Sequence, residues 1–120
     1  MNSKLEFLSP VLWTKDLEQT ISFYETVLGF KKKTQFPNFV SLTRDNAELM
    51  FVLPAEEFFQ KPQLTGNIYI FTEKVDELWE FVKDKATVKS SICDREYHMR
   101  DFSILDNNGY ELVFGEDISK

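Results

Sequence analysis

The sequence predicts an α+β fold made of two tandem strand–helix–three-strand (βαβββ) modules. Two amphipathic helices each follow a strand, each helix precedes three strand-like stretches, and the two halves match position by position. The stretch "LEFLSPVLWT" is rich in apolar and β-favouring residues and predicts the first strand. Asp16 caps the helix that follows, with Gln19 three positions on as its capping-box partner. Leu17, Ile21, Tyr24 and Leu28 fall at i, i+4, i+7 and i+11, one stripe of a helix, and Gly29 ends it. Three strands, "FKKKTQF", "FVSLT" and "ELMFVLP", come next, separated by the turn signals "PN" and "RDNA".

A connection, "PAEEFFQKPQLTG", carries Pro54, Pro62 and Gly66 and room for one helical turn. The order then repeats. "NIYIFT" predicts a strand and "KVDELWEFVKDK" a helix that buries Val75, Leu78, Trp79 and Val82. "TVKSSICDREY", "MRDFSILD" and, after the turn "DNNG", "YELVFGE" predict three more strands. When Asp16 is set against Lys74, Leu17 meets Val75 and Ile21 meets Trp79, and "ELMF" from Glu48 matches "ELVF" from Glu111. The chain of 120 residues thus predicts one domain, 1–120, with module 1 over about 4–54, a connection over 55–66 and module 2 over about 67–116.

Lys and Arg number 14 against 20 Asp and Glu, a formal charge of −6. That balance argues against nucleic acid or an anionic membrane as partner, because a phosphate-binding face needs clustered cations. The one cysteine, Cys93, forms no internal disulfide, so a reducing compartment is expected. The opening "MNSKLEFLSPVLW" lacks the apolar core of a signal peptide, and no window reaches the roughly 20 apolar residues of a membrane helix. The expectation is a soluble, cytoplasmic protein.

"PVLWTKDLEQTISFYETVLGF" resembles the opening signature of the vicinal oxygen chelate superfamily, which includes glyoxalase I, extradiol dioxygenases and bleomycin-resistance proteins. The matching residues are Asp16, the "FYE" of Phe23 to Glu25 and the "LGF" of Leu28 to Phe30. "MRDFSILDNNGYELVF" is similar to the family's closing motif. The resemblance implies a curved mixed sheet with helices on its convex face and a ligand cleft on the concave one. Strand alternation sorts the side chains. One face holds Leu12, Leu49, Phe51, Ile68, Ile70, Leu112 and Phe114, and suits helix packing. The other holds Ser9, Val11, Trp13, Glu48, Met50, Asn67, Tyr69, Phe71, Glu111 and Val113. These ten are the candidate ligand-binding residues, because apolar walls with a few convergent polar groups make a small-molecule cleft.

The resemblance also implies a metal position on each of four strands, at Ser9, Glu48, Asn67 and Glu111. Where the family's enzymes keep histidines, this chain has Ser9 and Asn67, a neutral hydroxyl and an amide. Glu48 and Glu111 alone are a thin donor set for zinc, iron or nickel, which favour nitrogen or sulfur. No metal is expected, a labile divalent ion on Glu48 and Glu111 being the one opening. His98, the only histidine, reads as a surface residue at a strand start, and Cys93 has no base at local spacing to activate it. No catalytic residue stands out. The resemblance is closest in pattern to the bleomycin-resistance branch and implies a homodimer that sequesters an aromatic or cationic small molecule, such as a glycopeptide antibiotic. Trp13 and Tyr69 would stack on it and Glu48 and Glu111 would pair with its cations. The alternative is a metal-dependent lyase, isomerase or dioxygenase with a reduced carboxylate ligand set.

Overall fold

Both helices form where an apolar stripe can be buried on a sheet. The computed structural model describes residues 2–58 and 61–119. Its elements are β1 (Val11–Trp13), α1 (Leu17–Leu28), β2 (Lys31–Phe36), β3 (Phe39–Arg44), β4 (Ala47–Val52), a short 3-10 helix (Glu56–Phe58), β5 (Ile68–Phe71), α2 (Val75–Val82), β6 (Thr87–Asp94), β7 (Met99–Leu105) and β8 (Glu111–Asp117). This is strand, helix and three strands, twice, as the repeat predicts. Phe59 and Gln60, within the connection, lie outside the described residues.

The modules form two four-stranded mixed sheets of the same plan, β1-β4-β3-β2 and β5-β8-β7-β6. In each, the first strand lies parallel to the last: Val11 sits opposite Met50, and Tyr69 opposite Val113. The other pairs are antiparallel. A helix supplies the crossover that parallel neighbours need. Asp16 caps α1 by accepting from the Gln19 amide at 2.9 Å, and Gly29, at φ +70°, ends it. The expected stripe of Leu17, Ile21, Tyr24 and Leu28 is buried in one cluster with Val40, Leu42, Leu49 and Phe51. On α2, Val75 and Val82 are buried while Leu78 and Trp79 are half-buried, with the Trp79 ring 5.0 Å from that of Phe102.

Two boundaries differ from expectation. The first strand is only Val11–Trp13, and Leu5, Phe7 and Leu8 ahead of it are exposed. Pro10 still accepts from the Met50 amide, but it has no N–H of its own to extend the ladder. The second helix stops at Val82 rather than continuing through "KDK", and it starts at Lys74 in a left-handed conformation with no side-chain cap. The carboxylate of Glu116 fills that role from β8, accepting from the Val75 amide at 2.9 Å.

The modules are clasped through the turn between β7 and β8. Asp106 organises that turn, with Oδ1 accepting from the Asn108 and Tyr110 amides at 2.8 and 2.9 Å. Its Oδ2 reaches across to module 1 and accepts from the Tyr24 hydroxyl at 2.6 Å. The Tyr110 hydroxyl donates to the Trp13 carbonyl at 2.7 Å, the Thr14 hydroxyl to Asn108 Oδ1 at 2.8 Å, and the Asn107 amide to the Thr20 hydroxyl at 2.9 Å. Tyr24, Thr14 and Thr20 are fully buried, so these bonds must be made within the protein.

Burial raises the Asp106 carboxyl above its ordinary value, and the bonds from Tyr24, Tyr110 and Asn108 pull it back down. A carboxyl raised in the folded state favours folding most when protonated, so its contribution falls as pH rises through the folded value. Replacing Tyr24 with Phe removes one lowering donor from a buried carboxylate. We expect a loss of about 1–3 kcal/mol at neutral pH. The deficit should shrink as pH falls towards about 4. Urea unfolding of Tyr24→Phe and wild type across that range measures both; a deficit independent of pH would show that Asp106 is not the partner that matters.

Candidate functional site

The register places Val11, Trp13, Glu48, Met50, Tyr69, Phe71, Glu111 and Val113 at positions alternating with the core-facing strand residues, with Ser9 and Asn67 ahead of β1 and β5, and their surroundings differ between modules. Ser9 precedes β1 and donates to the Glu48 carbonyl at 3.3 Å. Val11 and Trp13 are 52% and 39% exposed, beside half-buried Met50. In module 2, Asn67, Tyr69, Glu111 and Val113 line one cavity of about 540 Å³ with Ser90, Arg95, Tyr97, Asp101 and Ser103. Phe71, 77% exposed, stands beside Tyr69 with the rings 5.2 Å apart. Glu48, Tyr69 and Phe71 also border a larger cavity between the modules. The structure therefore gathers the module 2 candidates closely, while Ser9, Val11, Trp13 and Met50 line module 1's own face.

The floor of the smaller cavity is held by a buried carboxylate. Asp101 Oδ2 accepts from the Tyr69 hydroxyl at 2.8 Å and the Tyr97 hydroxyl at 3.0 Å; Oδ1 accepts from Arg95 Nε at 2.7 Å. Arg95 also donates through Nη2 to the Ser90 hydroxyl at 2.9 Å. Burial pushes the Asp101 carboxyl up, but these three donors and the guanidinium charge outweigh it and hold the group below its ordinary value. The Tyr69 hydroxyl is pushed far above its ordinary range by burial and by its bond to Asp101, so it stays a neutral donor. Its hydroxyl end lies over Gly115, where a Cβ would collide with the phenol oxygen. Beside this network Ser103, 2% exposed, has a hydroxyl with no hydrogen-bond partner among the described residues.

Both candidate metal carboxylates already have a lysine beside them. Glu48 accepts from the Ser41 hydroxyl at 2.5 Å and pairs with Lys33 Nζ at 3.6 Å; Glu111 pairs with Lys89 Nζ at 3.3 Å. Lys33 and Lys89 occupy equivalent places. Each sits where the register of the second strand of its module slips, between Lys32 and Thr34 in β2 and between Val88 and Ser90 in β6. A bulge re-aims a side chain, and here it accompanies a lysine set on the glutamate of the module's last strand. With a hydroxyl, an amide and two lysine-paired carboxylates, the four positions do not fit a transition metal. Among the described residues no group of three or more His, Cys, Asp or Glu could hold an ion.

The sequence reading missed Lys33, Lys89, Ser90, Arg95, Tyr97, Asp101 and Ser103. Alternation within "MRDFSIL" carried a signal for two of them, because Phe102 and Ile104 must point at α2, which turns Asp101 and Ser103 the other way. Lys33 was hidden in "KKK", which reads as a solvated edge. His98 is exposed at φ +66° in the turn between β6 and β7, and Cys93 is exposed on β6.

A Cβ at position 115 must evict the Tyr69 ring and break its bond to Asp101. Gly115→Ala should cost about 1–3 kcal/mol in urea unfolding. Asp101 adds a sign to the pH dependence. A depressed carboxyl contributes stability above its unfolded value, near 3.9, that is lost as pH falls through the folded one. Asp101→Asn should therefore lack a part of the acid destabilisation of the wild type, measured by unfolding between pH 5 and about 2.

The fold has known counterparts. Residues 6–114 match the family model described as Glyoxalase/Bleomycin resistance protein/Dioxygenase superfamily. No curated protein matches the chain in sequence. Among solved structures, a glyoxalase/bleomycin resistance protein/dioxygenase from Alicyclobacillus acidocaldarius superposes with TM-score 0.77 at 17% identity, covering 99% of this chain and 96% of that one. A glyoxalase-related enzyme from Clostridium phytofermentans gives 0.77 at 19%, covering 98% of each. A lactoylglutathione lyase from Agrobacterium tumefaciens gives 0.69 at 18%, covering 92% of each. At such identities the likeness is one of fold, and it spans nearly the whole of every chain. With both βαβββ modules in place and the family model matched over most of its length, the chain belongs to the glyoxalase/bleomycin resistance protein/dioxygenase superfamily.

Proposed function

We propose that this protein binds a small aromatic molecule without a metal and acts by sequestration, in the manner of the bleomycin-resistance branch. The observation that carries the reading is the pairing of both candidate metal carboxylates with bulge lysines, Lys33 with Glu48 and Lys89 with Glu111. Each ammonium supplies the positive charge that an ion would otherwise bring. A lyase, isomerase or dioxygenase of the family's metal-dependent kind would need those carboxylates open.

The same pairs narrow the ligand. Lys33–Glu48, Lys89–Glu111 and Arg95–Asp101 leave the sheet faces locally balanced, although the chain carries −6. A simple cation would have to displace a lysine. An uncharged or zwitterionic aromatic molecule rich in amides or hydroxyls, of the glycopeptide kind, gains more. It stacks on Trp13 and the Tyr69 ring, and it can satisfy the hydroxyl of Ser103. Tyr69 offers its ring rather than its hydroxyl, which Asp101 holds.

Two copies form the working unit in this reading. The radius of gyration is 15.4 Å, against about 13–14 Å for a compact chain of this length, and the least extent is 25 Å. A flat body with Val11, Trp13 and Phe71 uncovered suits a partner that closes over the sheet faces.

Tryptophan fluorescence tests the reading with a panel of aromatic glycopeptides. We expect saturable quenching that Trp13→Phe removes, because Trp79 is screened beneath α2 against Phe102. Ni²⁺, Zn²⁺ and Fe²⁺ should leave the thermal midpoint unmoved. Strong stabilisation by one of these ions, abolished in Glu111→Gln, would overturn the proposal in favour of a metal enzyme.

A further inference from the structure

The internal repeat offers two equivalent seams between the modules, and only one is closed. At the closed seam the turn over 106–110 enters the groove between α1 and β1, where Tyr110 fills space and donates to the Trp13 carbonyl. At the other seam the corresponding turn, over 44–47, faces the groove between α2 and β5. That turn is one residue shorter between its flanking ladder pairs, Thr43–Glu48 against Leu105–Glu111. Ala47 stands where Tyr110 stands. Arg44 takes the place of Asp106, and it turns back to its own module, donating from Nη1 to the Leu28 carbonyl at 2.8 Å.

The groove wall has changed to match. Thr20 and Tyr24, which bond the incoming turn on α1, correspond to Leu78 and Val82 on α2, which offer no hydrogen bond. Both sides of this seam thus lack the equivalents of that clasp, and a cavity of about 1380 Å³ lies between them. Phe71, Leu78 and Phe81 line it on one side and Ala47 on the other.

We propose that this open seam is a binding site for a planar aromatic hydroxy compound of the phenol or naphthol class. The closed seam supplies the chemistry. There, a phenol ring fills the groove and its hydroxyl donates to an edge carbonyl of the first strand. β1 bonds to β4 through the Pro10 carbonyl and the Thr14 amide, which leaves Trp13 facing the free edge. β5 bonds to β8 through the Thr72 amide, so alternation leaves the Phe71 carbonyl on the free edge as well. The ligand's hydroxyl donates to that carbonyl while its rings lie against Leu78 and Phe81. The cavity has room for a fused pair of rings. Glu48 and Tyr69 also line the cavity.

The probe is 2-naphthol, followed by its own fluorescence and by the thermal midpoint of the full chain. Wild type should bind it saturably and melt higher in its presence. Ala47→Tyr lets the protein supply its own phenol, so this variant should melt higher without ligand and bind 2-naphthol about tenfold more weakly or not at all. Should Ala47→Tyr fail to fold, Phe81→Asp at a half-exposed position should show the same loss of binding. Naphthalene, lacking the hydroxyl, should also bind about tenfold more weakly. The proposal is overturned if wild type does not bind 2-naphthol, if the folded variant binds it as wild type does, or if naphthalene binds equally well. Loss of binding in Trp13→Ala but not at position 47 would assign the probe to the face of module 1 and also overturn it.

Discussion

The Tyr24–Asp106 hydrogen bond is the constraint on which the arrangement of the two modules depends. A carboxylate buried between modules tolerates little freedom: it must be solvated by donors from both sides. Two of its donors are backbone amides of its own turn, and the third is a phenol on the far module. The geometry of one turn is thereby locked to the orientation of one helix. Tyr24 is in turn held by rings, with Phe23, Phe30 and Phe51 all within 5.2–5.5 Å of its centroid. The core of module 1 therefore fixes where the phenol oxygen is, and the phenol oxygen fixes where module 2 begins. Everything on the outer sheet faces inherits its position from that join.

Electrostatics on those faces follows a second rule, that each acid has a built-in cation. Lysines at the two bulges and an arginine from the β6–β7 turn each meet one carboxylate. Surface ion pairs contribute little to stability, and Lys33 and Lys89 are more than half exposed. Their consequence is chemical. They set an ammonium within 3.3–3.6 Å of each carboxylate that a hard or transition ion would have to engage. The acidity of the chain lies elsewhere, much of it on α2 and its flanks, where Glu73, Asp76, Glu77, Glu80 and Asp84 are exposed.

The fold was legible because it is written as periodicity. Leu17, Ile21, Tyr24 and Leu28 announce a helix whatever surrounds them, and the alternation of "ELMF" and "ELVF" sorts each strand's faces without further information. Ser9 and Asn67 stood out for a related reason, since a residue type at a known register position is visible in one dimension. What was not legible depends on two strands at once. Nothing in "KKK" says that Lys33 leaves the ladder at a bulge, because a register slip belongs to the pairing of β2 with β3. Asp101 was hidden because its partners, Tyr69, Arg95 and Tyr97, come from β5 and from a turn. The length of the first strand also depended on a neighbour, since Pro10 ends a ladder that only β4 could have continued.

Duplication turns such context effects into a controlled comparison. The two modules share strand order, helix placement and the bulge that aims a lysine at a glutamate, so a position where they differ has lost or gained something against a common background. At the carboxylates they differ by one hydroxyl: Ser41 donates to Glu48, while its counterpart Ser103 reaches no partner and sits buried beside the Asp101 network. A buried hydroxyl left unpaired costs about 1–3 kcal/mol. The duplicate shows that pairing was available in this architecture, through a carboxylate that Lys89 holds in module 2. The unpaired hydroxyl and the open seam are two such differences. In both places module 2 lacks an internal contact that module 1, or the module 1 side of the join, makes, and in both places the groups concerned border a cavity.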